Sequence, residues 1–332
     1  MLKDRLRTSA VLIAVAAALL ALDANWAPAG GEGLFLIPLL LFFALGTAWD
    51  VAGLCRLVGI RVSRRYCLTS VALISASPLV PTLWATISAA SDGRLSPYPV
   101  VCPVGRLGWP VLALTASAFA CFLIEMVTYP PVRQTASTAD LDGSPTSGSV
   151  SPAPVPTALA NVMTGIFVSA YVGLPMSLLV STRTLADGNW GLAALLTLIA
   201  TTKSADAGAY FSGKTFGRRK LIPRLSPGKT WEGVLGGILM ATAVAAACLG
   251  WGFAWLAGDS AYAIPPLWLA LLLGPSLALA GVVGDLSESM VKRECGAKDS
   301  GSWLPGLGGM WDVSDSLLAA VLPGYLCFAA MA

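Results

Sequence analysis

The sequence has 332 residues, 56% of them apolar and only 12% charged, with a mean hydropathy of +0.73 and a formal net charge of +3. A soluble domain carries about a quarter of its residues as charges, so this composition excludes a water-soluble globule and demands long lipid-facing segments. Histidine is absent, which excludes most hydrolase triads and the helical zinc proteases.

A membrane-crossing helix needs roughly 20 mainly apolar residues, and about nine stretches are candidates on that criterion. In chain order they are residues 8–22, 33–49, 66–90, 108–129, 158–180, 190–202, 233–256, 261–283 and 316–332, the first and sixth being short. The first follows Lys3, Arg5 and Arg7. It is expected to stay as an anchor, because no clear small-x-small cleavage site follows it. Residues 130–157 are rich in Ser, Thr, Pro and Ala, a composition with little to fold around, and are predicted to be a flexible cytoplasmic linker. The expected architecture is therefore an all-α polytopic integral membrane protein with an N-terminal transmembrane region 1–129. A C-terminal transmembrane region, 158–332, holds almost every charge of interest and is expected to carry the site.

Cytoplasmic loops collect Lys and Arg. Residues 23–32, 91–107, 181–189 and 257–260 contain only Arg94, Arg106 and Arg183, whereas Arg56, Arg61, Arg64, Arg65, Arg218, Arg219, Lys220, Arg224, Lys229, Lys292 and Arg293 fall in the alternate segments. This predicts an inside N-terminus, an outside C-terminus and a location in the plasma or inner membrane, with the loops after the sixth and eighth spans in the cytoplasm. The cysteines at 55, 67, 102, 121, 248, 295 and 327 form no C-x-x-C pair, which argues against a disulfide framework or a zinc site.

Two polar clusters flank the last spans. Residues 203–233 include GAYFSGKT at Gly208–Thr215, which satisfies the phosphate-loop pattern G-x-x-x-x-G-K-[ST]. That loop needs a preceding β-strand and open glycine backbone; here a span precedes, and Tyr210 and Phe211 supply bulk. The match is read as chance. In the second cluster, residues 284–316, a helix over 285–294 would put Asp285, Ser289 and Lys292 on one face. Asp312 and Asp315 would share a face of the last helix, with Pro305–Gly309 as a turn between. Several cations beside several carboxylates suit a metal-bound polyphosphate. Plainer roles are also open. Asp312, Ser314 and Asp315 suit a helix N-terminus, Ser226-Pro227 suits an N-cap with an N1 proline, and Asp285 suits a helix start. Arg218, Arg219 and Lys220 suit a lipid-facing basic edge, and Lys298-Asp299 a solvated pair.

Taken together the clusters resemble the CDP-diacylglycerol synthase (phosphatidate cytidylyltransferase) family. Its S-x-x-K-R, K-D, P-G-H-G-G and D-R-x-D elements are matched in order by Ser289 to Arg293, Lys298-Asp299, Pro305 to Gly309 and Asp312 to Asp315. Its A-Y-x-x-G-[RK]-x-F-G and S-P-x-K-T-x-E-G elements resemble Ala209 to Gly217 and Ser226 to Gly233. Two positions depart: Leu307 stands where the family has histidine, and Val313 where it has arginine. The resemblance implies that CTP and phosphatidate combine to give CDP-diacylglycerol and pyrophosphate. It implies Mg²⁺, alone or with a second cation, held by Asp285, Asp312 and Asp315. Catalysis would fall to those three and Lys292, with substrate contacts from Ser226, Lys229, Thr230, Ser289, Arg293, Lys298 and Asp299. The nucleophile is an anionic phosphate oxygen, which suits a chain without histidine. The expected partners are the two substrates and the lipid bilayer, with no nucleic acid; a homodimer is left open. An altered or inactive family member, a CTP-dependent lipid kinase and a transporter are the alternative readings.

Overall fold

The computed structural model describes residues 2–26, 33–91, 96, 98–99, 102, 104–129, 157–186, 189–258, 260 and 262–332. The expected linker lies almost wholly outside these residues, which resume at Thr157. Eleven α-helices and one short hairpin are present among the described residues: α1 (Leu2–Trp26), α2 (Ile37–Leu57), α3 (Arg64–Ala76), α4 (Val80–Ala90), α5 (Gly105–Thr128) and α6 (Thr157–Arg183) precede α7 (Trp190–Phe216). The antiparallel strands β1 (Lys220–Ile222) and β2 (Ser226–Thr230) follow. Then come α8 (Trp231–Ala247), α9 (Phe253–Ala257), α10 (Ala270–Glu294) and α11 (Trp311–Ala329).

Seven helical segments are long and apolar enough to cross a membrane, against the nine stretches expected. The other two stretches are helical as well, within α1 and α7. Side-chain contacts place α1 between two ends of the bundle. Near its start Thr8 Oγ1 donates to the Pro305 carbonyl (2.9 Å), while near its finish Asp23 pairs with Arg183 of α6 (2.7 Å). That ion pair is buried, and Asp23 Oδ1 also accepts from the Gly33 and Phe35 amides, so both charges are compensated. At the same far end Trp190, Phe253 and Phe328 form a buried aromatic cluster with centroids 5.5–6.1 Å apart. From there α7 runs to the opposite end, where Lys203 meets the start of α11.

Between lipid-solvated helices there is little hydrophobic drive, and small residues that let backbones touch replace it. The α7–α8 contact follows this rule. A Cβ placed on Gly208 would lie 2.8 Å from the Gly236 carbonyl, one on Gly233 2.9 Å from the Ala209 carbonyl, and one on Gly237 2.9 Å from the Ala205 carbonyl. Gly208–Thr215 is thus part of a helix packed on another helix, and no strand leads into it. This agrees with rejection of the phosphate-loop reading.

Two of the plainer roles are corrected, and a third holds for Asp312 alone. Ser226 and Pro227 lie in β2 and cap nothing; Thr230 caps α8, its hydroxyl accepting from the Gly233 amide at 3.1 Å. The reason is that the hairpin carries the chain back extended to the helix, so the first free amides face Thr230. Asp285 starts no helix, because α10 continues unbroken from the apolar span to Glu294. Asp312 lies in the first turn of α11, where a carboxylate suits the helix N-terminus, whereas Asp315 lies further in; α11 begins at Trp311 after Met310, a residue without a side-chain cap of its own.

Candidate active site

A cavity of about 530 Å³ opens at the end of the bundle where α7, β2, α8, α10 and α11 meet. Its cations are Lys203, Lys214 and Lys229, and its carboxylates Asp206, Asp285, Asp312 and Asp315. Ser226 and Thr230 add hydroxyls.

Each group is fixed by its element. Two oxygens of Glu232 in the first turn of α8 accept from the Arg218 and Arg219 amides (3.1 and 3.2 Å), which ties the base of the hairpin to the helix. From β2, Lys229 Nζ reaches Asp285 Oδ2 (2.8 Å) and the Val282 carbonyl (3.3 Å), docking the hairpin on α10. The predicted face of α10 is present: Ser289 Oγ donates to Asp285 Oδ1 at 3.4 Å, and Lys292 lies one turn beyond Glu288 at 3.1 Å. Lys292 Nζ also holds Asp312 Oδ1 at 2.7 Å, linking α10 to α11.

The other Asp312 oxygen, Oδ2, accepts from the Ser300 amide (2.9 Å), the Ser300 hydroxyl (2.8 Å) and the Gly309 amide (2.7 Å). The turn 305–309 must fold tightly over it. Gly308 has φ +97°, and a Cβ there would lie 2.6 Å from Asp312 Oδ2, so only glycine fits. Both Asp312 oxygens are therefore committed to neighbours while the residue lines the cavity.

A different trio is poised for a cation. Oxygens of Asp285, Glu288 and Asp315 lie within 4.8 Å of one another, with Glu288 only 2% and Asp315 7% exposed. Three carboxylates this close repel strongly away from water. An all-oxygen donor set suits a hard divalent cation such as Mg²⁺, which would relieve that repulsion. On the α7 wall, Lys203 Nζ donates to the Val313 carbonyl (2.8 Å) and Ser316 Oγ (2.9 Å), and lies 3.4 Å from Asp206 Oδ2. Ser316 Oγ donates onward to Asp206 (2.9 Å).

Of the residues expected from the sequence, Ser226, Lys229, Thr230, Asp285, Asp312 and Asp315 line the cavity, and Ser289 and Lys292 support it. Arg293, Lys298 and Asp299 are exposed and outside the lining. Sequence reasoning missed Glu288, Lys203 and Asp206. Glu288 is three residues from Asp285 on the helix already drawn, so the same periodicity could have found it. Lys203 and Asp206 fall just beyond the apolar run of the sixth span, where charges carry functional weight.

The sequence pattern of the cytidylyltransferase family matches residues 3–331. The chain belongs to that family. Among its relatives, a protein of Haemophilus influenzae named phosphatidate cytidylyltransferase is 45% identical over 135 residues, covering 41% of this chain and 45% of that one. A Brucella suis protein of the same name is 41% identical over 162 residues, 49% of this chain and 54% of its own. One from Mycobacterium leprae, also so named, is 30% identical over 222 residues, 65% and 64% of the two chains. The chain spans about half the length of the first two relatives.

Proposed function

We propose that this chain is a phosphatidate cytidylyltransferase, joining CTP and phosphatidate into CDP-diacylglycerol with release of pyrophosphate. The observation that carries the reading is the cavity itself. In a cytidylyltransferase, three lysines facing four carboxylates around one cavity at the end of a helix bundle suit nucleotide phosphates held with a divalent cation. The basic segments cluster at that same end, which supports a cytoplasmic site.

In the transfer, a phosphate oxygen of phosphatidate attacks the α-phosphorus of CTP, and the bond to the bridging oxygen breaks as pyrophosphate leaves. No strong base is needed, since the nucleophile is already anionic. The obstacle is bringing two anions together and stabilising charge on the departing group. Lys203, Lys214 and Lys229 supply fixed cations around the cavity, and Ser226 and Thr230 offer hydroxyl donors. Lys292 holds Asp312, and Ser289 holds Asp285, so the carboxylates keep their places. Arg293 and Lys298 lie outside the lining, where they would meet anions before entry. Asp285, Glu288 and Asp315 would hold Mg²⁺, with Asp312 beside them; when bound, the ion supplies charge neutralisation and substrate orientation.

The test is an assay of the detergent-solubilised protein with CTP and phosphatidate, with and without Mg²⁺. Label from the CTP α-phosphate should enter lipid; entry of γ-label instead would mean a CTP-dependent lipid kinase. Chelation should abolish the transfer and added Mg²⁺ restore it. Asp312→Ala should lose nearly all activity, and undiminished turnover would remove Asp312 from the site.

A further inference from the structure

Asp50 belongs to α2, in the N-terminal region that the sequence marks as poor in purposeful polar groups, and it is only 3% exposed. No cation pairs with it among the described residues. Instead its Oδ2 accepts from the Met310 amide (2.6 Å) and the Trp311 amide (3.3 Å), and from Ser300 Oγ (3.4 Å). Those amides open α11. The first amides of a helix lack intrahelical partners and carry partial positive charge, so a carboxylate aimed at them is compensated without a counter-ion. Met310 offers no cap of its own. The cap of the helix that bears Asp312 and Asp315 is therefore supplied from 260 residues away in sequence.

The surrounding backbone is shaped to admit this carboxylate. A Cβ on Gly301 or Gly309 would collide with it, and a Cβ on Gly46, one turn earlier in α2, would collide with Met310. Thr47 Oγ1 meets Ser314 Oγ at 2.8 Å, a second bond between the same two helices. Ser300 Oγ is shared, donating to Asp312 Oδ2 at 2.8 Å as well as facing Asp50. The segment between α10 and α11 is thus gripped from both sides, by Asp50 and by Asp312. Asp50 itself does not line the cavity.

We infer that Asp50 is a positioning residue for the transfer reaction: it fixes where α11 begins and so sets Asp312 and Asp315 against Lys292 and Glu288. This rests on the cytidylyl-transfer reading above. An uncharged, nearly isosteric replacement leaves the volume and removes the charge, so Asp50→Asn is the informative variant.

The experiment uses the full chain in detergent, with three readouts for wild type, Asp50→Asn, Ser300→Ala and the double variant. For Asp50→Asn, kcat should fall about 10- to 100-fold, since a displacement of the order of 1 Å can cost that much. KM for CTP should change by no more than about 3-fold, because the lysines and the hairpin are untouched. Amide exchange at Met310 and Trp311 should accelerate. The double variant should lose less than the product of the single losses, as expected of residues sharing one network. A wild-type kcat in Asp50→Asn, or losses that multiply independently, would overturn the inference. So would unchanged exchange at 310–311, because the first amides of α11 would then not depend on the Asp50 carboxylate, while faster exchange throughout the chain would assign any lost activity to general instability. If wild type transfers no cytidylyl group, the functional reading fails and the catalytic consequence with it; the exchange measurement still decides whether Asp50 caps α11.

Discussion

Replacing Lys292 by methionine isolates the electrostatics of the α10–α11 junction. The ammonium lies 2.7 Å from Asp312 and 3.1 Å from Glu288, with its side chain 14% exposed and theirs 13% and 2%. At an effective dielectric of about 20, the Lys292–Asp312 contact is worth roughly 6 kcal/mol of gross attraction. Desolvation of each ion takes back several kcal/mol, so the net worth of the triad is small; stripping out one partner is the costly change, at about 3–5 kcal/mol. Methionine keeps most of the side-chain volume and leaves the buried carboxyl groups of Asp312 and Glu288 facing each other without their cation. We expect Lys292→Met to lower the thermal midpoint of the metal-free protein in detergent, followed by intrinsic fluorescence. Adding Glu288→Gln should recover part of that loss, since a neutral amide can donate to Asp312 where a second carboxyl group stood, while activity stays low in both. A single variant as stable as wild type would refute the reasoning, and so would a double variant less stable than the single one.

Two further outcomes follow from the geometry. Lys203→Met removes a cation bonded to both the Val313 carbonyl and Ser316; turnover should fall by about 100- to 1000-fold, the range for loss of one preorganised donor, and unchanged kcat would place Lys203 outside the chemistry. Gly236→Val would drive a side chain into Ser212 and to within 3.2 Å of the Gly208 carbonyl. It should destabilise the α7–α8 pair by at least about 1–3 kcal/mol, read as a lower melting midpoint, and a neutral result would contradict the close backbone approach.

Composition and apolar run lengths were sufficient to reveal an all-helical membrane protein, because every backbone group in lipid must be satisfied within its own segment. The ordered short motifs made much of the cavity legible: Lys229, Asp285, Asp312 and Asp315 line it together, residues that the family resemblance had singled out. What stayed hidden depends on contacts distant in sequence. Nothing local to Asp50 says that its carboxylate meets Met310, and nothing in Pro305–Gly309 says that Asp312 fills the turn. Ser226-Pro227 was misread because an N-cap signature and a strand entry share the same extended backbone, and only the pairing of Lys220 with Thr230 separates them. Short span length likewise obscured α7, whose polar second half is helical because it packs on the glycines of α8 rather than on lipid.

The bonds that reach across residues 130–156 carry a last consequence. Thr8 to Pro305, Asp23 to Arg183, Thr47 to Ser314 and Asp50 to Met310 each join the first 129 residues to the last 176, at both ends of the bundle. Among the described residues, the two portions are thus pieces of one body joined by direct contacts. A cut between residues 130 and 156 leaves each of these four bonds in place.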